Sequence, residues 1–168
     1  MESYRMIMQL DLAIRKYRKS DFRIIMNLHK VAMQQLGVFL EGEEFNRDLE
    51  DIQQHYFRNK GTFLVGTING IIVSMGAFRK LDKTTAEIKR MRTYPEYQGR
   101  GYGDKILKEL IRIAKEYGYK ELILETSEKQ IAARKLYMNN GFKEFKEEII
   151  GGNNCTWFKL LLNNDKKS

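Results

Sequence analysis

Hydrophobic and polar positions along the chain switch several times between a strand-like and a helix-like rhythm. Leu12, Ile14 and Tyr17 mark a first strand within 10–17. Ser20 reads as an N-cap, with Asp21 in the first turn of a helix predicted to run to about Leu36 and to stop at Gly37. Phe45, Leu49, Ile52 and Tyr56 recur at helical spacing and predict a second helix from about Glu43 to Asn59. The texture then changes. Runs rich in β-branched and aromatic residues at 62–68 and 71–78 flank Asn69-Gly70, a strong hairpin signal.

A fourth strand spans roughly Thr85 to Thr93, and its pattern is uneven. Ile88 and Met91, its best core candidates, have opposite parity and would face opposite sides of a regular strand. A β-bulge near Lys89-Arg90 would bring both to one side and free backbone groups from the ladder. A sheet buried on both faces explains the pattern equally well. Downstream, Ile106, Leu107, Leu110, Ile111 and Ala114 form the inner face of a helix from about Gly103 to Tyr117, ended by Gly118. Leu122-Ile123-Leu124 is a short strand. Ser127 to Gln130 has the pattern of a capping box, opening a helix through Ala133, Leu136 and Tyr137 to Asn140, with Gly141 as its stop. A last hairpin pairs 142–150 with 156–162 across Gly151-Gly152-Asn153-Asn154. The order predicts one α/β domain over 1–168, with about seven strands, about four helices and a core over about 10–162.

Composition narrows the class. The chain has 42% apolar and 11% aromatic residues, ordinary values for a folded soluble protein. No stretch approaches the roughly 20 apolar residues that span a bilayer, and the N-terminal residues lack a signal-peptide pattern. One cysteine, Cys155, and two histidines, His29 and His55, offer too few soft ligands for a zinc site, so no metal is expected. The lone thiol suits a reducing, cytoplasmic setting. Net charge is +8, but Lys and Arg are interspersed with acids except at Lys89-Arg90 with Arg92 and in the tail. The tail, 163–168, is expected to be disordered.

The most informative run is Gln98-Gly99-Arg100-Gly101-Tyr102-Gly103, placed between the only proline, Pro95, and an amphipathic helix. A glycine-rich turn opening a helix aims free N–H groups and the positive end of the helix dipole at one point, which suits a phosphate. The spacing Gly-x-Gly-x-Gly is neither a Walker A loop nor the Rossmann fingerprint. Gln98 and Arg100 can both donate to phosphate oxygens.

Taken with Glu87 to Pro95, this run resembles the acyl-CoA-binding motif of the GNAT acetyltransferase superfamily. Gln130, Ala133, Leu136-Tyr137 and Gly141-Phe142 look like the same family's second segment, at a fitting distance. The resemblance implies a mixed, mostly antiparallel sheet with its fourth and fifth strands splayed around acetyl-CoA, the acyl donor. Backbone N–H groups from Gly99 to Gly103, including Gly101 and Tyr102, would hold the pyrophosphate. The backbone from Met91 through Arg92 to Thr93 would pair with the pantetheine arm, and the Met91 N–H would polarise the thioester carbonyl. Tyr137 matches the position that protonates the departing thiolate, and Glu87 one where relatives carry a carboxylate acting as a base through water. Gln130 stands where many relatives have Asn to contact the donor, although a capping box with Ser127 also explains it.

The resemblance thus implies an acetyl-CoA-dependent N-acetyltransferase acting by direct attack of a primary amine in a ternary complex. A catalytically silent acyl-CoA sensor and a basic nucleic-acid-associated module remain alternatives. The acceptor is a small-molecule or peptide amine that no motif identifies. Residues 20 to 60 and the last hairpin are expected to line its pocket, with Glu41, Glu43 and Glu44 able to make that pocket acidic. His29, His55 and Cys155 read as structural residues. No membrane partner is expected, and a homodimer is open.

Overall fold

The computed structural model describes residues 11–37 and 43–163, with side chains from residue 46 onward in the second segment. The strands are β1 (Ala13–Lys16), β2 (Thr62–Ile68), β3 (Ile71–Lys80), β4 (Thr85–Thr93), β5 (Glu121–Ser127), β6 (Lys143–Ile150) and β7 (Asn153–Leu161). They form one sheet in the order β1-β2-β3-β4-β5-β7-β6. Every neighbouring pair is antiparallel except β4 and β5. The helices are α1 (Phe22–Gln35), α2 (Glu43–Glu50), α3 (Ile52–His55), α4 (Tyr102–Glu116) and α5 (Ile131–Asn139). Asn69 and Gly70, both at positive φ (48° and 79°), turn β2 into β3 as that dipeptide predicts.

The sheet is covered on both faces. On one, Ile88 packs with Ile106, Leu107 and Leu110 of α4 and with Phe142 and Phe158. On the other, Ile25 and Leu28 of α1, Leu49, Ile52 and Tyr56 meet Phe63, Val65 and Met75. All seven residues of β2 are therefore buried, which is why that strand reads as a continuous run without alternation. Each fully buried Leu, Ile or Phe contributes about 1.5–3 kcal/mol.

The fourth strand carries the predicted bulge as well as the double-sided burial. Met75 pairs with Arg92 and Ala77 with Lys89, so Gly76 faces both Arg90 and Met91. Arg90 takes φ 60°. Ile88 and Met91 consequently reach the same core, despite their opposite parity. Gly76 makes room for this: a Cβ there would lie 2.4 Å from Met91 Sδ and 2.7 Å from Ile106 Cγ2. Beside the bulge the sheet opens. Parallel pairing of β4 with β5 runs only from Thr85↔Glu121 to Glu87↔Ile123.

Three local expectations are corrected. The predicted second helix breaks at Asp51 (φ −140°, ψ 78°), whose carboxylate accepts the Gln54 N–H and starts α3, so there are five α-helices among the described residues. Ser20 lies inside a 3₁₀ turn, and Asp21 precedes α1 without capping it, because its carboxylate is engaged by Arg15 (2.7 Å) and the Arg18 N–H (2.8 Å). Ser127 is not a helix cap, since β5 holds it in register with Cys155 of β7. Gln130 occupies the N-cap position and makes only half of the box, its Oε1 accepting the Ser127 N–H at 3.0 Å. Glu41 and 164–168 lie outside the described residues, as do the side chains of Glu43 and Glu44.

Candidate active site

Where β4 and β5 part, a cavity of about 740 Å³ opens between them and α1. Its walls are Met26, His29, Lys30 and Met33 of α1, the stretch from Glu87 to Arg92, Glu125 and Ser127 of β5, Gln130, Tyr137 and the turn of the last hairpin. The bulge decides what chemistry it holds. By inserting one residue it places Glu87, Lys89, Arg90 and Arg92 on the cavity wall, where strict alternation would have divided them.

These groups differ in how they are satisfied. Arg90 makes two hydrogen bonds to Asp48, one from Nε to Oδ2 at 2.9 Å, and Tyr56 Oη donates to the same Oδ2 at 2.5 Å. Burial alone would raise the Asp48 pKa, but Arg90 and Tyr56 hold it down to about 2. Glu87 is buried, and its Oε2 accepts from Arg79 at 3.2 and 3.0 Å. Its Oε1 lies 3.9 Å from Lys89 Nζ. Arg92 donates from one terminal nitrogen to the Met91 carbonyl (2.8 Å) and from the other to Met33 Sδ (3.5 Å), while its buried Nε has no partner among the described residues.

Tyr137 packs its ring edge-on to Phe142, with centroids 5.8 Å apart, and is 5% exposed on the cavity wall. Burial pushes its pKa up to about 12, against a downward pull from the Arg92 charge. At neutral pH this phenol therefore holds its proton.

Two cavity residues carried no signal in the sequence. His29, expected to be structural, is buried on the wall, with Nε2 3.1 Å from Asn46 Oδ1 and Nδ1 unpartnered among the described residues. Burial, then the charges of Arg90 and Arg92, lower its pKa to about 4, so it is neutral. Cys155 also lines the cavity as a buried thiol raised to about 12 by burial and by Glu125. His55 lies away from this cavity, in α3. No cluster of three or more metal-ligating side chains occurs among the described residues.

The glycine run lies at the start of α4, beyond the cavity lining. Gly99 (φ 75°) and Gly101 (φ 80°) adopt the left-handed conformation, and the space where each Cβ would stand is open. Gly103 lies inside the helix, where a Cβ would meet Leu136 at 3.6 Å and Thr93 Oγ1 at 4.0 Å. The first helical bond runs from the Lys105 N–H to the Gly101 carbonyl, which leaves the amides of Tyr102 to Asp104 without helical acceptors. An open, Cβ-free cradle on a helix N-terminus fits the phosphates of a coenzyme. Gln98 and Arg100, the side chains expected to assist, also have protein partners. Gln98 bridges the Thr93 carbonyl (3.0 Å) and Gln35 (2.9 Å), Arg100 donates to the Glu96 carbonyl (3.1 Å), and Tyr102 is in the core. Backbone amides and the remaining N–H donors of the exposed Arg100 are left there for a ligand. The Tyr94 N–H bonds to the Val73 carbonyl, so ladder alternation turns the Thr93 and Met91 amides to the edge that β5 leaves open.

The family model described as "Acetyltransferase (GNAT) family" matches residues 22–142. Human N-acetyltransferase 8 is 27% identical over 120 residues, covering 68% of this chain and 51% of that protein. N-acetylaspartate synthetase of Xenopus tropicalis is 32% identical over 98 residues, covering 57% of this chain and 36% of that protein. This chain thus spans about half the length, or less, of these curated relatives. A GNAT-family acetyltransferase from Staphylococcus aureus Mu50 shares the fold with a TM-score of 0.83 at 23% identity, covering 91% of this chain and 100% of that one. A further chain of this fold was solved in complex with coenzyme A. No helix among the described residues is long and apolar enough to cross a membrane.

Proposed function

The chain belongs to the acetyltransferase (GNAT) family, and from that premise we propose that it transfers the acetyl group of acetyl-CoA to a primary amine bound in the β4–β5 cavity. The observation that carries this reading is the opening itself. An unpaired strand edge, a neutral buried phenol and a carboxylate oriented by Arg79 all border one cavity, and the glycine turn lies just past the end of that edge, where a Cβ at Gly103 would stand 4.0 Å from Thr93 Oγ1. Bound acetyl-CoA supplies an acetyl group activated as a thioester.

The chain's own residues supply the rest. Backbone amides from Gly99 to Gly103 hold the pyrophosphate, and the edge from Met91 to Thr93 pairs with the pantetheine arm. The Met91 N–H points at the acyl oxygen and stabilises the charge that develops there. Tyr137 Oη donates its proton to the sulfur that leaves. Glu87, oriented by Arg79 on Oε2, accepts the proton of the incoming amine at Oε1 through water. Gln130 lines the same wall, although its Oε1 is already committed to the Ser127 amide. No step requires a covalent acyl-enzyme: the one cysteine thiol stays protonated at neutral pH.

One relative is named for making N-acetylaspartate, so amino acids belong in the acceptor panel with alkylamines, aminoglycosides and peptide N-termini. Thiol release from saturating acetyl-CoA across this panel tests the reading. Release well above background with at least one class is expected. Acetyl-CoA binding without release across the panel would favour an acyl-CoA sensor. Salt-sensitive binding of DNA or RNA, with no affinity for coenzyme A, would favour the nucleic-acid module.

A further inference from the structure

Three cations stand on the bulged stretch of β4, and the protein neutralises them unequally. Arg90 has Asp48, and Lys89 lies 3.9 Å from Glu87. Arg92 has no hydrogen-bonded carboxylate among the described residues. Its two hydrogen-bond partners are a peptide carbonyl and a thioether sulfur, and its buried Nε–H has none. A guanidinium presents its donors in a planar fork, and keeping one away from water without an acceptor is costly. Such a cost persists in a cavity wall when a ligand offsets it.

We propose that Arg92 is the anchor for the acceptor, and that the amine taken by this site carries a carboxylate which binds the Arg92 guanidinium. This rests on the transferase reading above and assigns its substrate class. The remaining walls agree. Lys30 adds positive charge, while Glu87, which would repel an anion, is bound by Arg79 and lies 3.9 Å from Lys89. Glu125 on β5 interacts with Arg92 only through space, without a hydrogen bond between them. Met26, Met33, Met91 and Ile150 provide an apolar lining for the rest of the molecule, with methionines able to adapt to varied shapes. The acceptor class is therefore an α-amino acid or similar amino carboxylate with an apolar body. The donor's phosphates do not compete for Arg92, because their cradle lies at the start of α4, outside this lining.

Acetylation converts the amine to an amide but leaves the carboxylate, so product binding isolates the proposed contact from amine ionisation. The test measures Kd for N-acetyl-L-phenylalanine and for N-acetyl-L-phenylalaninamide on the whole protein with coenzyme A present. The acid is expected to bind at least tenfold more tightly. In Arg92→Gln that preference should collapse to less than threefold, and Arg92→Lys, which keeps the charge without the fork, should fall between. Equal affinities in the wild type, or no binding of either compound, would overturn the proposal even if the glutamine variant failed to fold. A kinetic comparison separates anchoring from tuning of Tyr137. Anchoring predicts that Arg92→Gln lowers kcat/KM for L-phenylalanine at least tenfold more than for L-phenylalaninamide. An equal fall for both would assign Arg92 to Tyr137 and refute the anchor. Absence of thiol release with every amine would sink the transferase reading, while the product-binding result would still decide the Arg92 contact.

Discussion

Tyr137→Phe removes one oxygen from the cavity wall and keeps the ring contacts with Phe142 and Phe158. The structure sets the size of the effect. A phenol held at about 12 is ionised in about one molecule in 10⁵ at neutral pH, so nearly every molecule carries the proton to be donated. Without it the nearest general source is water, with a pKa of about 15.7. The phenol is thus nearly four powers of ten more acidic, and at a Brønsted sensitivity of about one half that is worth about 70-fold in rate. The corresponding change in barrier is about 2.5 kcal/mol. Thiol release at saturating acetyl-CoA and acceptor should fall by this order, while the affinity for acetyl-CoA changes less than twofold. The ratio of the two rates should be constant between pH 6 and 9, because the phenol loses its proton only near pH 12. Single-turnover measurements guard against a hidden product-release step. A variant whose single-turnover rate stayed within twofold of the wild type would refute the acid role.

Glu87→Gln should lower kcat/KM by about 10²-fold, as expected for loss of a general base; an unchanged kcat/KM removes Glu87 from the mechanism. Asp48→Asn should cost about 3–5 kcal/mol in denaturant unfolding, because it removes the carboxylate that pairs with a buried guanidinium. Because the Asp48 pKa is depressed to about 2 from about 3.9 in the unfolded chain, its contribution is complete above about pH 5. It is lost as pH falls through 2, a change of about 2–3 kcal/mol that the variant should lack. Gly76→Ala should destabilise by about 1–3 kcal/mol and weaken coenzyme A binding, since the new methyl displaces Met91 from beside the bulge. Unfolding curves paired with coenzyme A titration check it, and unchanged binding would separate the bulge from the donor site.

Most of the fold was readable because its signals are local. Asn69-Gly70 dictates a hairpin through backbone sterics, and Gly118 and Gly141 end helices through their positive φ (84° and 87°). Errors arose where side chains had competing partners. Ser20 and Ser127 carry good capping chemistry, but a salt bridge at Asp21 and the β5–β7 ladder claimed the neighbouring groups. The helix break at Asp51 lies inside an unbroken apolar repeat, so periodicity passed over it.

From its residues alone the chain showed a glycine turn suited to a phosphate, a bulge-prone strand and a phenol on the helix that follows, because glycine spacing, parity and short motifs are properties of adjacent positions. Tertiary structure decided how the charges are shared. Asp48 and Arg90 are 42 residues apart, and Met33 and Arg92 are 59 apart, so no local pattern could say which arginine would be neutralised. Nor could it show that His29 would be buried on the same wall, or that Gln98 would bridge the Thr93 carbonyl and Gln35. Those outcomes depend on which groups remain once long-range packing has paired the others. The proposed donor half of the site is written in neighbouring residues, and the proposed acceptor half exists only after the sheet has opened.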